Sequence, residues 1–192
     1  MAKVIRREGA RGPRAKHTKE LSVRLAEAGD EAAIAHLRWL SDAQHAEALP
    51  GYFRTPAAGV RPAPRPTPSQ PVLVATRGEE VVGYLVLLLA GTPRDPATVP
   101  GARARVDALV VAPSARRAGI GKKLIEEASR RALAFGARDL VLTVWSGNDG
   151  AEAFYGALGF APLARVLRLD LERPLAARGK ARVARRTKRG DG

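Results

Sequence analysis

The sequence of 192 residues contains no cysteine. This absence excludes disulfide bonds, thiolate metal sites and a cysteine nucleophile. Histidine is also scarce, at three residues, and no cluster of His, Asp and Glu has the spacing of metal ligands, so no metal site is predicted. The most apolar run, residues 81–90, is well short of the ~20 residues that a membrane-spanning helix needs and predicts a buried strand. The first twenty residues lack the apolar segment of a signal peptide, so we expect a cytoplasmic protein.

Positive charge is concentrated at the two ends of the chain. The net charge is +14; residues 1–20 hold seven Lys or Arg against two Glu, and residues 174–192 hold seven against one Asp. Both ends are also poor in large apolar residues, so we expect basic flexible tails around one domain at residues 21–173. Solvated tails are the simpler interpretation, and weak, salt-sensitive contact with nucleic acid is the alternative.

Apolar periodicity and turn residues predict an α/β domain. Strands are expected at residues 22–26, 72–75, 81–89, 105–111, 140–144 and 165–171. Helices are expected after the N-cap candidate Asp30, at residues 42–48, at residues 120–135, and from Asn148 or Asp149 to Gly159. Seven prolines within residues 50–71 exclude a central strand or helix there, and a second loop is expected at residues 91–101.

The stretch ARRAGIGKK, residues 115–123, follows a predicted strand and begins a predicted helix. Glycine lets the backbone approach a ligand, and the first amides of a helix present free donors and partial positive charge to an anion. A Walker A loop is excluded because Arg116 and Lys123 stand where it needs Gly and Ser or Thr. A dinucleotide fingerprint is excluded because it needs a third glycine at Leu124. A phosphate site remains chemically reasonable, with a plain turn before a solvated helix as the alternative.

The pattern R/Q-x-x-G-x-G/A does fit, with Arg116 at its first position and Gly119 and Gly121 at its glycine positions. LVVAP at residues 109–113 precedes it, and Asn148, Tyr155 and LGF at residues 158–160 follow it. Together these features strongly resemble the GCN5-related N-acetyltransferase (GNAT) superfamily. The resemblance extends over residues 22–172 in the order of elements and is most specific from residue 109 to residue 160.

The resemblance implies an α/β fold with a mixed, twisted sheet of six to seven strands flanked by helices. Its fourth and fifth strands splay apart around the pantetheine arm of acetyl-CoA. The backbone of Leu109, Val110 and Val111 would line that arm, and one of these amides would polarise the thioester carbonyl. Asn148 would contact the cofactor or only cap a helix, and Tyr155 would protonate the departing thiolate or only pack. The pyrophosphate would lie on the loop formed by Arg116, Arg117, Ala118, Gly119, Ile120, Gly121 and Lys122.

Acetyl transfer to an amine also requires the loss of a proton, because an amine with a pKa near ~10.4 is mostly protonated at pH 7. Asp107 is our candidate for the catalytic base or for the anchor of a water, and an ion pair with Arg105 is the alternative. His45 lies just before the proline-rich loop and Tyr52 lies at its start, where the family places a wall of the acceptor site. We expect these two residues and Trp145 to contact the acceptor.

The sequence therefore predicts an acetyl-CoA-dependent N-acetyltransferase. We expect it to move an acetyl group to a primary amine of a small molecule or peptide by direct attack in a ternary complex. Two alternatives stay open: a non-catalytic module that binds or senses acyl-CoA, and a protein acetyltransferase that the basic tails recruit to ribosomes or nucleic acid. A homodimer is also open, since the last predicted strand could pair with a second copy.

Overall fold

The computed structural model describes residues 20–57, 59–93 and 96–171. Five strands lie in these ranges: β1 Leu21–Leu25, β2 Val72–Arg77, β3 Glu80–Ala90, β4 Ala102–Val111 and β5 Ala137–Leu142. The α-helices of the same ranges are α1 Glu31–Ala48, α2 Ile120–Ala134 and α3 Asp149–Ala157. The chain divides into two compact units inside α3, Met1–Phe154 and Tyr155–Gly192, and the sheet belongs to the first.

The five strands form one mixed sheet in the order β1-β2-β3-β4-β5. Neighbours from β1 to β4 are antiparallel, whereas β5 is parallel to β4. Parallel strands need a long crossover connection, and α2 supplies it here. The crossover places the start of α2 just beyond the carboxyl end of β4, which is the edge where α/β sheets commonly bind ligands.

Helices α1 and α2 cover opposite faces of the sheet. The α1 face contains one buried cluster made of Ile34, Leu37, Val72, Val74, Tyr84, Val86 and Val110. The alternate residues of β3 face α2, since a Cβ atom on Gly83 would lie 3.4 Å from Ile120 Cγ2. Central strands that are covered on both faces must be apolar at successive positions, which explains the continuous apolar run of β3.

Asp30 directly precedes α1, as predicted, but its side chain does not cap the helix. Its carboxylate accepts hydrogen bonds from Arg24 Nη1 at 2.6 Å and Arg24 Nη2 at 2.9 Å. It also accepts one from the Glu27 N–H at 2.8 Å. The hydrogen bonds from Arg24 hold the pKa of Asp30 below its usual range. The carboxylate therefore ties β1 to the beginning of α1.

The predicted fold class is confirmed, including the separation of the fourth and fifth strands, but two predicted elements are wrong. Residues 42–48 continue α1 instead of forming a second helix, because no Gly or Pro interrupts the chain before Leu49. Residues 165–171 form no strand, and Val166 and Leu167 are 86% and 90% exposed. Alternating apolar residues suit a strand, but a strand also needs a partner, and no described strand pairs with this segment.

The sheet accordingly has five strands in the described ranges, compared with the six to seven expected. Residues 1–19 and 172–192, which contain nearly all of the two predicted basic tails, lie outside the described residues.

Candidate functional site

The end of β4 is open toward β5. Pairing between these strands runs from Ala102 opposite Ala137 to Val106 opposite Leu142, where β5 ends. β4 continues to Val111, and its last residues, Leu109–Val111, pair only with β3 among the described strands. The backbone edge that faces away from β3 is therefore not paired with another strand among the described residues. The three residues predicted to line the pantetheine arm lie at this open edge.

The loop from β4 to α2 contains two residues in the left-handed region. The φ angle is 62° at Arg117 and 76° at Gly119. The first hydrogen bond of the helix runs from the Lys123 N–H to the Gly119 carbonyl at 3.1 Å. Within the described residues, the backbone N–H groups from Arg117 to Lys122 donate no hydrogen bond. These N–H groups, including those of Ala118 and Ile120, form the positive end of the α2 dipole.

The two glycines of the loop have different surroundings. A Cβ atom on Gly119 would meet nothing within 4 Å, so this glycine borders open space. A Cβ atom on Gly121 would lie 3.0 Å from Phe154 Cζ, which is closer than most side-chain contacts. Gly119 thus provides the open backbone expected of an anion site, whereas Gly121 allows α2 to pack closely on the ring of Phe154.

The side chain of Arg116 lies toward β4 and α1. Its Nε donates to the Val111 carbonyl at 3.2 Å, and its Nη2 donates to Gln44 Oε1 at 3.0 Å. The guanidinium therefore connects the loop to the end of β4 and to α1. Lys122, in the first turn of α2, is exposed, and its Nζ lies 3.8 Å from Glu126 Oε1.

Asp107 is paired with Arg105, as the alternative interpretation anticipated. Arg105 Nη2 lies 2.8 Å from Asp107 Oδ1, and both side chains are about half exposed. The register between β3 and β4 shifts next to Asp107, since Val86 is opposite Ala108 and Leu87 is opposite Val106. Asp107 is thus the extra residue of a β-bulge at the point where β5 ends.

Asn148 caps α3. Its Oδ1 accepts a hydrogen bond from the Ala151 N–H at 3.0 Å, and its backbone carbonyl accepts from Ala151 and Glu152. The helix-cap interpretation of Asn148 is therefore correct. The cap uses one lone pair of the carboxamide oxygen, and the Nδ2 group is a donor that the cap does not use.

Tyr155, in the second unit, is largely buried. Its ring contacts Phe160 edge-on at a centroid distance of 5.5 Å, and its carbonyl accepts from the Phe160 N–H at 3.0 Å. Burial raises the pKa of Tyr155 to about 12. The phenol is therefore protonated throughout the physiological range, as a hydrogen-bond donor or acid must be.

The three residues predicted to contact the acceptor lie in one aromatic cluster, which also includes Phe53. The Phe53 ring is stacked on His45 at 5.3 Å and meets Trp145 edge-on at 4.9 Å. Tyr52 lies 5.5 Å from Trp145 and 4.9 Å from Phe53, measured between ring centroids. Burial lowers the pKa of His45, so this imidazole is neutral at pH 7. We call these four residues the aromatic cluster.

The sequence interpretation missed Phe53, although Phe53 makes three of the four ring contacts in the cluster. The available signal was its position beside Tyr52, at the start of the proline-rich loop. Trp145 comes three positions after the end of β5, so the cluster connects that loop with the open end of the sheet.

A family model of the acetyltransferase (GNAT) family matches residues 32–160, which include the sheet from β2 to β5 and all three helices. The chain belongs to the GNAT acetyltransferase family. The matched range contains the open end of β4, the loop from β4 to α2 and the aromatic cluster. The comparison with curated proteins found no match.

Three solved structures have folds similar to that of this GNAT domain. A point mutant of the BH1408 protein from Bacillus halodurans is 26% identical, with a TM-score of 0.73 over 78% of this chain and 99% of that one. The aminoglycoside N-acetyltransferase AAC(6')-Iy, solved with CoA, is 18% identical, with a TM-score of 0.57 over 78% of this chain and 98% of that one. An aminoglycoside acetyltransferase from an uncultured soil sample is 22% identical, with a TM-score of 0.53 over 79% and 97%. The two aminoglycoside enzymes share the fold with this chain.

The described residues contain neither a metal-ligand group nor a membrane-spanning helix. Within residues 20–57, 59–93 and 96–171, no three His, Asp or Glu residues are grouped as metal ligands. None of the helices in this part of the chain is both long and apolar enough to cross a bilayer.

Proposed function

We propose that this GNAT protein transfers an acetyl group from acetyl-CoA to a primary amine by direct attack in a ternary complex. One observation carries the proposal: the unpaired edge of β4 at Leu109–Val111 leads within a few residues to the free amides that begin α2. An extended edge suits the amide-containing pantetheine arm, and a helix start suits the pyrophosphate. Family membership supports the same donor.

The residues of the loop fit a pyrophosphate. The open space at Gly119 allows a phosphate to approach the backbone, and the amides of Arg117, Ala118, Gly119, Ile120, Gly121 and Lys122 have hydrogens to donate. Arg116 would act as a positioning residue, because its hydrogen bonds to Val111 and Gln44 hold the loop against β4 and α1. Lys122 and Asn148 Nδ2 would add donors at the rim.

The backbone of β4 would also assist the chemistry. A donor amide among Leu109, Val110 and Val111 would bind the thioester oxygen as negative charge develops on it, which is the role of an oxyanion hole. Strand pairing with β3 keeps this backbone rigid, so the donor would need little reorganisation during the reaction. Asp107, at the bulge beside this edge, would receive the amine proton directly or orient a water that does so.

The Tyr155 hydroxyl is proposed to donate a hydrogen bond to the leaving sulfur. An ordinary thiol has a pKa near ~8.5. With a phenol pKa of about 12, complete transfer of the proton from Tyr155 to a free thiolate would be uphill by about 5 kcal/mol. We therefore propose that Tyr155 stabilises the sulfur by a hydrogen bond as the carbon–sulfur bond breaks. The proton released by the attacking amine would then neutralise the thiolate by way of Tyr155 or water.

The proposal is tested by measuring thiol release from acetyl-CoA with a panel of amino acids, peptides, polyamines and aminoglycosides. We expect release above background hydrolysis with at least one class of amine. Tight binding of acetyl-CoA without release for any acceptor would instead indicate the non-catalytic sensing module.

The role of Tyr155 is tested by the Tyr155→Phe variant. We expect turnover to fall by about 100-fold while acetyl-CoA affinity changes by less than threefold, because the lost group acts on the leaving sulfur. Phe160→Leu, which alters the ring contact of Tyr155 but leaves its hydroxyl, is the control. Equal turnover of Tyr155→Phe and the unchanged protein would refute the role.

A further inference from the structure

A pocket lies between α1 and the proline-rich loop. Its volume is about 280 Å³, and its lining residues are Asp42, Phe53, Arg54, Pro56, Val60 and Arg61. Phe53 also belongs to the aromatic cluster, where its ring is 4.9 Å from Trp145 beyond the end of β5. The pocket is therefore connected through one ring to the side of the sheet at which the thioester is proposed to lie.

The charges of the lining residues are unequal. Arg61 Nη1 lies 2.6 Å from Asp42 Oδ1, so the one lining carboxylate is already neutralised. The second oxygen, Asp42 Oδ2, is buried and meets no hydrogen-bond donor among the described residues. Arg54 is exposed and makes no ion pair within the part of the chain that the structure describes. A molecule that enters the pocket therefore meets one uncompensated guanidinium.

The remaining lining is apolar. Phe53, Pro56 and Val60 add one aromatic and two aliphatic residues to a lining that also contains Arg54. His45 adds no charge to the neighbouring cluster at pH 7, because burial lowers its pKa. Such a combination suits a ligand with an apolar group and one anionic group.

We propose that this pocket binds the acetyl acceptor, and that the acceptor is a primary amine that also has a carboxylate next to an apolar group. The inference rests on the proposed function. Arg54 is the specificity-determining residue, because a guanidinium can donate two parallel hydrogen bonds to one carboxylate. The apolar group of the acceptor packs on Phe53, Pro56 and Val60, as amino acids with large apolar side chains can do.

The same charges decide which amines can enter the pocket. The carboxylate of the acceptor compensates Arg54 and allows the amine to enter. A polycationic aminoglycoside lacks that carboxylate and is repelled. This chain therefore differs in acceptor class from the aminoglycoside enzymes whose fold it shares.

The inference is tested by comparing acceptors that differ only in the carboxylate. The two pairs are L-phenylalanine with phenethylamine, and L-leucine with isoamylamine. Dissociation constants are measured by calorimetry on the full chain saturated with CoA. We expect each amino acid to bind at least tenfold more tightly than its decarboxylated partner. Equal affinities within both pairs, or no measurable binding of any of the four, would overturn the inference.

Arg54→Glu and Arg65→Glu form a matched pair of variants, since Arg65 is an exposed arginine of the same loop outside the pocket. Arg54→Glu is expected to remove the preference for the amino acids, and Arg65→Glu to retain it. If both variants lose the preference equally, the preference depends only on the overall charge of the loop, which would contradict the role of Arg54. Acetyl-CoA affinity is measured separately to distinguish two outcomes. If the protein does not bind acetyl-CoA, the proposed function is wrong. If it binds acetyl-CoA but shows no preference for a carboxylate, only this inference is wrong.

Discussion

The proposed donor side and the proposed acceptor side of the candidate site are built from different parts of the chain. The donor side consists of backbone: the open edge of β4, the left-handed turn at Arg117 and Gly119, and the first amides of α2. The acceptor side consists of side chains, namely the aromatic cluster and the lining of the pocket beside it.

This difference explains how one fold can keep its donor and change its acceptor. Backbone amides are present whatever the side chains are, so substitutions disturb the donor side only where they change backbone conformation or block access. The acceptor side depends on ring contacts and on one guanidinium, each of which a single substitution removes. The variants below are designed so that each impairs one side and leaves the other intact.

Among the variants that separate the two sides, the largest effect is expected at Gly119. Gly119→Val should weaken acetyl-CoA binding at least tenfold, or ~1.4 kcal/mol, because the new side chain would occupy the open space that borders the amides. Gly136→Val is the matched control, since Gly136 also has a positive φ, of 88°, and open surroundings but lies at the other end of α2. Both variants should lose stability through the strained φ, and only the first should lose acetyl-CoA affinity in calorimetry. A similar loss of affinity in both variants would contradict the assignment of the pyrophosphate to the loop at Gly119.

A smaller effect is expected at the aromatic cluster. Trp145→Ala removes edge and tilted contacts with Phe53 and Tyr52, and such aromatic pairs contribute about 1 kcal/mol each. The KM for the best acceptor should rise by about fivefold, while acetyl-CoA affinity stays within twofold. Phe135→Ala, an exposed aromatic residue at the end of α2, is the control. If acetyl-CoA affinity falls as much as acceptor affinity, the two sides are not separable.

Gly121 should respond in stability. Gly121→Ala keeps the amide but places a Cβ atom 3.0 Å from Phe154 Cζ, so unfolding free energy should fall by about 1 kcal/mol and Tm by about 3 °C. Adding Phe154→Leu should recover part of that loss in a double-mutant cycle. A tenfold loss of acetyl-CoA affinity at unchanged Tm would show that Gly121 is needed for binding of acetyl-CoA and not for packing on Phe154.

The smallest effect is expected from His45 and concerns pH. Because burial lowers the pKa of His45 in the folded state, the unfolded chain takes up the proton first as pH falls. Stability is therefore fully present above the ordinary histidine pKa of 6.5 and is lost as pH falls through that value toward the lowered one. His45→Gln should reduce this dependence in urea unfolding measured at pH 7.5 and pH 5. An unchanged dependence would show that His45 does not contribute to it.

Much of the donor side could be predicted from local sequence. A strand, a turn with Gly119 and a helix with apolar residues at steps of four form one contiguous segment, so the residues that interact are close in the chain. The errors arose where local pattern was not enough. Residues 165–171 alternate as a strand would, yet they pair with no described strand, and the pattern could not reveal whether a partner was present.

Side-chain roles within the loop were also beyond the sequence. The same motif contains Arg116, which reaches back to Gln44, and Gly121, which packs on Phe154. Both partners are distant in the chain, so no spacing rule could indicate them. Asn148 was open between cap and ligand, and only the position of the Ala151 N–H decided that its oxygen caps α3.

The sequence by itself determined the family, the five strands of the described sheet, and the loop that we propose as the donor site, because all three depend on periodicity and on a motif within one segment. Only the tertiary structure showed which side chains come together on the proposed acceptor side. It brought His45, Tyr52 and Phe53 from one end of the proline-rich loop against Trp145, which lies more than ninety residues further along the chain. It also neutralised Asp42 with Arg61 and left Arg54 uncompensated. These outcomes depend on through-space distances, which the order of residues does not encode locally.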